Sequence, residues 1–162
     1  MFTYTLPHAE LVQPNDKLLK RYKRLFKPDK TYAGDNGSRY NAINHTHAQF
    51  AAMVSRLDAY VGEILAKLEE KGFSENTLVI FSSDNGPHEE GGADPYFFNR
   101  DGLLRGLKRQ THEGGIRVPF IAYWKGKIPS GRVNETPIAF WDILPTFCDI
   151  LGDENYPNNY LN

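Results

Sequence analysis

The sequence carries one cysteine, Cys148, in 162 residues. An internal disulfide is therefore excluded, and the redox compartment stays open. Charge of one sign is also lacking. The 19 basic and 20 acidic side chains leave a formal net charge of -1, so no global basic field points to nucleic acid. No apolar run approaches the length that spans a membrane. Met1 opens directly into Phe2-Thr3-Tyr4-Thr5-Leu6 with no basic stretch, so no secretory leader is read at this start. Internal repeats and low-complexity segments are absent. What remains is an ordinary globular composition, 40% hydrophobic and 24% charged, in a chain long enough for one domain with a core. Three Asn-x-Ser/Thr triplets, at Asn36, Asn44 and Asn134, matter only if the chain is exported by a eukaryote.

The most informative stretch is Thr77-Leu78-Val79-Ile80-Phe81-Ser82-Ser83-Asp84-Asn85-Gly86. Its apolar run predicts a buried strand over 77–83, ended by a sharp turn. Asp84 and Asn85 then stand at a strand tip, where open α/β sheets place ligands. Their hard oxygen donors suit Ca²⁺ or Mg²⁺. Both residues also make turns for backbone reasons alone.

The flanking chain reads as follows. Phe2, Tyr4 and Leu6 alternate with Thr3 and Thr5, which predicts a strand over 1–6 stopped by Pro7 and followed by His8. Residues 16–26 form a basic amphipathic helix, with Leu18, Leu19, Tyr22, Leu25 and Phe26 on one face and Lys17, Lys20, Arg21, Lys23 and Arg24 covering the rest. Residues 27–43 are a loop. A long helix follows, marked by Phe50, Met53, Val54, Leu57, Val61, Ile64, Leu65 and Leu68, with Asn44 or Thr46 as its start cap and Gly72 as its end. Residues 86–115 have no period and hold His88, Glu89, Glu90, Asp94, Arg100, Asp101, Arg105, Lys108, Arg109, His112 and Glu113, which suits a functional loop. Strands are expected over 116–124, near an edge because of Pro119, and over 133–140. A short helix from Pro145 to Leu151 is closed by Gly152 and buries Cys148. The polar tail 153–162 is expected to be poorly ordered. The helix–turn–strand step into 77–83 predicts a layered α/β sheet.

Several pieces together resemble a type I, formylglycine-dependent sulfatase of the alkaline-phosphatase-like superfamily. They are Tyr4-Thr5-Leu6-Pro7-His8-Ala9, Leu57-Asp58-Ala59-Tyr60-Val61-Gly62, Ser83-Asp84-Asn85-Gly86, Leu104-Arg105-Gly106-Leu107-Lys108, Glu113-Gly114-Gly115-Ile116-Arg117-Val118-Pro119 and Asp142-Ile143-Leu144-Pro145-Thr146. The resemblance implies an α/β class fold, layered α/β/α with a mixed central sheet, alkaline-phosphatase-like and incomplete. It makes residues 1–152 the C-terminal half of the catalytic domain.

The same resemblance implies roles. Asp84 and Asn85 match calcium ligands, an amide oxygen at the second position suiting Ca²⁺ where imidazole would suit zinc. Lys108 matches the lysine that touches a sulfate oxygen. His8 matches a histidine that contacts the sulfate ester and helps protonate the leaving oxygen. His88 and Asp94 are candidates for lining a substrate pocket, Asp94 equally for a loop role. Glu113 and Arg117 are read as holding the Gly-Gly turn. The formylglycine motif, Cys/Ser-x-Pro-x-Arg, does not occur in these residues; it is expected in the missing N-terminal half, with the paired aspartates that complete the calcium site. The chain alone is therefore expected to be inactive and to bind Ca²⁺ weakly, since that ion takes about six to eight oxygens.

The implied partner is a sulfated small molecule or glycan, with no nucleic acid and no membrane span, and with self-association through exposed sheet edges. The implied compartment is exported: periplasmic, secreted or lysosomal. Two alternatives stand beside this reading: a phosphatase or phosphoryl transferase of the same superfamily, and a non-enzymatic remnant that binds sulfated glycans through Lys108 and the basic helix at 16–26.

Overall fold

The structure is a computed structural model and describes residues 1–35, 37, 39–98 and 104–153. Asn36, Arg100, Asp101 and the tail from 154 lie outside the described residues. Two units are distinguished, Met1–Ile128 and one that begins at Pro129.

In the first unit, helix α1 (Lys17–Leu25) is capped by Asp16, whose Oδ1 accepts the Leu19 N–H at 3.1 Å. Its apolar face packs on helix α2 (Thr46–Glu70): Leu19, Ala48 and Ala52 are buried, with Leu18, Tyr22 and Phe26 against them. Leu25 is exposed rather than part of that face, because it lies in the last residue of the helix, where the chain turns away. Strands β1 (Thr31–Tyr32) and β2 (Ile43–Asn44) pair antiparallel inside what the sequence predicts as loop. Runs of two residues are too short to show a period.

The long periodic segment is helix, as expected, and Gly72 (φ 71°) lies just past its end. Its start is not capped by Asn44 or Thr46. His45 is the cap residue, left-handed at φ 61°, and its side chain makes no cap bond. The cap comes from Asp29. Its fully buried carboxylate accepts the backbone N–H groups of His47 (3.2 Å), Ala48 (3.1 Å) and Lys30 (2.7 Å). His47 Nδ1 lies 2.9 Å from the same carboxylate. Removing that acceptor leaves buried donors unmatched, so Asp29→Ala is expected to lower stability by about 3 kcal/mol. Asp29→Asn keeps one acceptor oxygen and should lose less. Urea unfolding midpoints of the two variants check this; equal midpoints for wild type and Asp29→Ala would remove Asp29 from the cap.

Strand β3 (Val79–Ser82) pairs antiparallel with strand β4 (Phe120–Tyr123), in the register Val79↔Tyr123 to Ser82↔Phe120. The expected buried strand is thus present, but each of its residues is only half-buried, because among the described residues it has one partner strand. Short helices α3 (Pro95–Phe98) and α4 (Glu113–Ile116) lie between β3 and β4. The alternation at 1–6 does not make a strand: those residues have no ladder partner among the described ones, and Tyr4 instead stacks on Tyr60 at 5.8 Å. A small core of Leu11, Met53 and Ala93, with Leu6, Ile43 and Phe50 around it, sits beneath the loop that carries His8.

In the second unit, residues 133–140 are not a strand. Asn134 Oδ1 accepts the Thr136 N–H at 3.0 Å, so the local polar side chain turns the backbone there. Helix α5 (Ile143–Leu151) starts two residues earlier than Pro145, closes at Gly152 (φ 71°) and buries Cys148.

Candidate functional site

Strand β3 ends at Ser82 and hands Asp84 and Asn85 to a tight turn. Ser83 Oγ donates to the Asn85 carbonyl at 2.9 Å, and Asn85 Nδ2 donates to the Gly86 carbonyl at 2.9 Å. The amide is thereby oriented with its oxygen left over. Asp84 is exposed and its carboxylate makes no hydrogen bond or ion pair with a described residue. One carboxylate and one amide oxygen side by side are the donor chemistry that Ca²⁺ takes. They form part of a site only: among the described residues no group of three or more His, Cys, Asp or Glu could hold a metal.

The turn is locked to two others by backbone. The Gly86 N–H donates to the Gly115 carbonyl at 3.0 Å, and the Gly114 N–H to the Arg105 carbonyl at 2.8 Å. A Cβ on Gly86 would lie 1.9 Å from the Gly114 oxygen. The two glycine motifs are therefore the two halves of one backbone contact. The Lys108 N–H donates to the Pro87 carbonyl at 2.8 Å, which fixes the lysine one residue beyond that contact. Glu113 and Arg117 lie 3.6 Å apart across the same turn, both exposed; the backbone bonds hold it and their ion pair spans it.

Lys108 Nζ then reaches His8 Nε2 at 3.1 Å, across 100 residues of chain. His8 Nδ1 is in very short contact with the Ala9 carbonyl. An ammonium only donates, so Nε2 is the accepting nitrogen of a neutral ring and Nδ1 carries the proton toward Ala9. Glu90, 18% exposed, sits on the other side of Lys108 at 4.0 Å and binds Arg109 Nη1 at 2.5 Å. The Arg109 hydrogen bond, first of all, holds the Glu90 carboxyl below the usual carboxylate range. Arg109 takes a left-handed backbone, φ 74°, uncommon for a side chain of its size.

His88 is buried beside His8, ring centroids 5.4 Å apart. The Glu90 N–H donates to its Nδ1 at 3.2 Å, so the neutral ring carries its proton on Nε2. That nitrogen is buried without a well-formed hydrogen bond, although the Pro7 carbonyl is near enough to favour the charged ring somewhat. Burial first, then the neighbouring His8 ring and the Lys108 ammonium, push His88 below its ordinary 6.5. The sign follows: a histidine lowered by folding contributes stability above the unfolded value, and that contribution is lost as pH falls through the lowered one. A proton NMR titration should place His88 below 6.5, with the unfolding midpoint falling as the solution is acidified past 6.5. A His88 midpoint at or above 6.5 would contradict this.

The sulfatase family profile matches residues 6–153, nearly all of the chain, including every one of these residues. The chain belongs to the sulfatase family. Rat (Rattus norvegicus) steryl-sulfatase is 38% identical over 110 residues, covering 67% of this chain and 19% of that protein. Human (Homo sapiens) arylsulfatase A is 35% identical over 132 residues, covering 70% of this chain and 24% of its own length. The crystal structure of Ps i-CgsB in complex with k-i-k-neocarrahexaose superposes with a TM-score of 0.70 at 27% identity, covering 97% of this chain and 30% of that one. The chain thus spans about a fifth to a quarter of the curated relatives it matches. Its fold is the mixed α/β, alkaline-phosphatase-like fold of sulfatases, of which it covers a part.

Of the sulfatase residues expected from sequence, the structure brings His8, His88 and Lys108 into one cluster, and ties the Asp84-Asn85 turn to it through Gly86 and Pro87. Asp94 stands apart. It binds Lys30 at 3.0 Å, lies 3.3 Å from His47 Nε2 and accepts the Phe97 N–H at 3.1 Å. It organises the loop ahead of α3. Sequence reasoning assigns no role to Glu90 or Arg109. Both sit in a charge-rich loop without a period, and only the left-handed turn at Arg109 brings the guanidinium back to Glu90. The buried Asp29–His47 pair is likewise unmarked, since its members lie 18 residues apart with no motif between them.

Proposed function

We propose that this chain is the second half of the catalytic domain of a type I sulfatase, and that the complete protein hydrolyses sulfate esters. The observation that carries the reading is the Lys108–His8 contact at 3.1 Å, made beside the Asp84-Asn85 turn. A half-buried cation and a neutral imidazole converge where a tetrahedral anion and its ester oxygen would sit. An entering sulfate ester takes the Lys108 N–H on a sulfate oxygen, where negative charge grows during cleavage. That frees His8 Nε2 to face the bridging oxygen. Once freed, His8 Nε2 takes up a proton from solvent; the imidazolium then delivers that proton to the bridging oxygen, and the leaving alcohol departs neutral. His88 packs beside His8 at a ring-centroid distance of 5.4 Å and helps to line the substrate pocket. Glu90 binds Arg109 at 2.5 Å and lies 4.0 Å from Lys108.

Asp84 and Asn85 would hold part of a calcium site; the ion supplies fixed positive charge against the sulfate. The remaining ligands and the formylglycine nucleophile are assigned to residues outside these 162, so the chain alone is inactive. Poor burial supports the fragment reading. Among the described residues eight hydrophobic side chains are buried, while Trp141 is 80% exposed and Leu151 82%, far from what a free-standing domain of this length achieves. The substrate class is a sulfated carbohydrate or aryl sulfate, supported by the relative named arylsulfatase A and the neighbour solved with a hexaose. No helix among the described residues is long and apolar enough to cross a membrane; an exported compartment is part of the same proposal. Asn85 weighs against a zinc-dependent phosphatase, which would favour imidazole at that place.

The coding sequence upstream of Met1 tests the reading. An in-frame Cys/Ser-x-Pro-x-Arg motif, with formylglycine found there by mass spectrometry of the complete protein, is expected. An in-frame stop directly upstream would overturn the fragment reading and leave the glycan-binding one.

A further inference from the structure

The exposed face of α1 has no role in the site just described. Lys17, Lys20, Arg21 and Arg24 stand at positions i, i+3, i+4 and i+7 of this helix, and Lys27 follows its end; all five are exposed. At 1.5 Å per residue the stripe from Lys17 to Arg24 runs about 10 Å. None of the five makes an ion pair or side-chain hydrogen bond with a described residue. The carboxylate at the head of the helix is committed elsewhere: Asp16 Oδ1 caps Leu19 N–H and Oδ2 binds Arg56 at 2.6 Å. The stripe is therefore an uncompensated cationic track on a chain whose net charge is -1.

We propose that this track is a docking surface for a sulfated polysaccharide. Two observations narrow the partner. A basic amphipathic helix that binds membranes must present a free apolar face to the acyl chains. Here that face is already packed on α2, through Leu18, Leu19, Tyr22 and Phe26, and the single exposed Leu25 is ordinary for a protein surface. The partner is thus a polyanion in solution, met edge-on by a row of cations. Sulfate rather than phosphate as its charge rests on the sulfatase reading above; the track itself does not.

The test is binding of the full chain to immobilised dextran sulfate over a salt series, with Lys20→Gln/Arg21→Gln/Arg24→Gln as the variant. The substitutions leave the apolar face untouched, so an unchanged urea midpoint is expected and verifies folding. The variant should bind on the order of tenfold or more weakly at low salt, and the slope of log affinity against log salt should fall by about 2 to 3. Lys127→Gln, at an exposed lysine outside this helix and outside the active-site cluster, should bind like the parent chain. Unsulfated dextran should not bind. Equal binding by the triple variant would overturn the proposal. So would an equal loss of binding in Lys127→Gln, duplex DNA binding as tightly as dextran sulfate at matched salt, or tighter binding to phosphatidylserine vesicles.

Discussion

Lys108→Ala in the complete protein is expected to lower kcat for a sulfate ester by about a hundredfold to a thousandfold, or about 2.7–4 kcal/mol of transition-state stabilisation. The size follows from where the ammonium sits. It is 20% exposed and is bracketed by His8 at 3.1 Å and Glu90 at 4.0 Å, so water screens it poorly and it needs no rearrangement to meet the growing charge. Lys108→Arg keeps the charge but replaces a point donor with a planar fork, and should recover only part of the loss. Steady-state kinetics on both variants checks this. A loss confined to KM would show that Lys108 binds substrate and transition state equally, which is not its proposed role.

Gly114→Ala is expected to cost about 3 kcal/mol of stability and to disorganise the site with it. The added Cβ would stand 2.0 Å from the Gly106 oxygen, 2.5 Å from the Leu104 oxygen and 2.9 Å from the Arg105 oxygen. All three are backbone and none can swing aside. Because Gly114 also donates to Arg105 and its neighbour Gly115 accepts from Gly86, relieving the clash displaces both Lys108 and the Asp84-Asn85 turn. Gly62→Ala is the control. Nothing lies within 4 Å of its Cβ position, it is exposed inside α2, and alanine there should stabilise by about 0.5–1 kcal/mol. Urea midpoints at constant slope read both. Equal effects at the two glycines would contradict the backbone contact.

These glycines illustrate what the sequence makes legible. Resemblance to the sulfatase motifs groups Ser83-Asp84-Asn85-Gly86 with Glu113-Gly114-Gly115, but does not tell that each exists to let the other approach. The stripe along α2 is legible because a helix repeats its environment every few residues. Its cap is not, because Asp29 arrives from the other end of a loop. Alternation misleads at 1–6, since a strand needs a ladder partner that periodicity cannot supply, and the strand expected over 133–140 fails for the same lack of a partner among the described residues. Lys108 and His8 are legible through motif resemblance. The Glu90–Arg109 pair that flanks them depends on one left-handed residue, for which the sequence carries no glycine as a marker.

The measurement that bears most directly on the central claim is a paired assay of the complete protein against a sulfate ester and a phosphate ester of the same alcohol, with and without calcium. Hydrolysis of the sulfate ester is expected at a kcat/KM well above that of the phosphate ester, and is expected to be lost on chelation. A preference for the phosphate ester, or sulfate hydrolysis unchanged by Lys108→Ala and by chelation, would contradict the assignment of His8, Lys108, Asp84 and Asn85 to a sulfatase site.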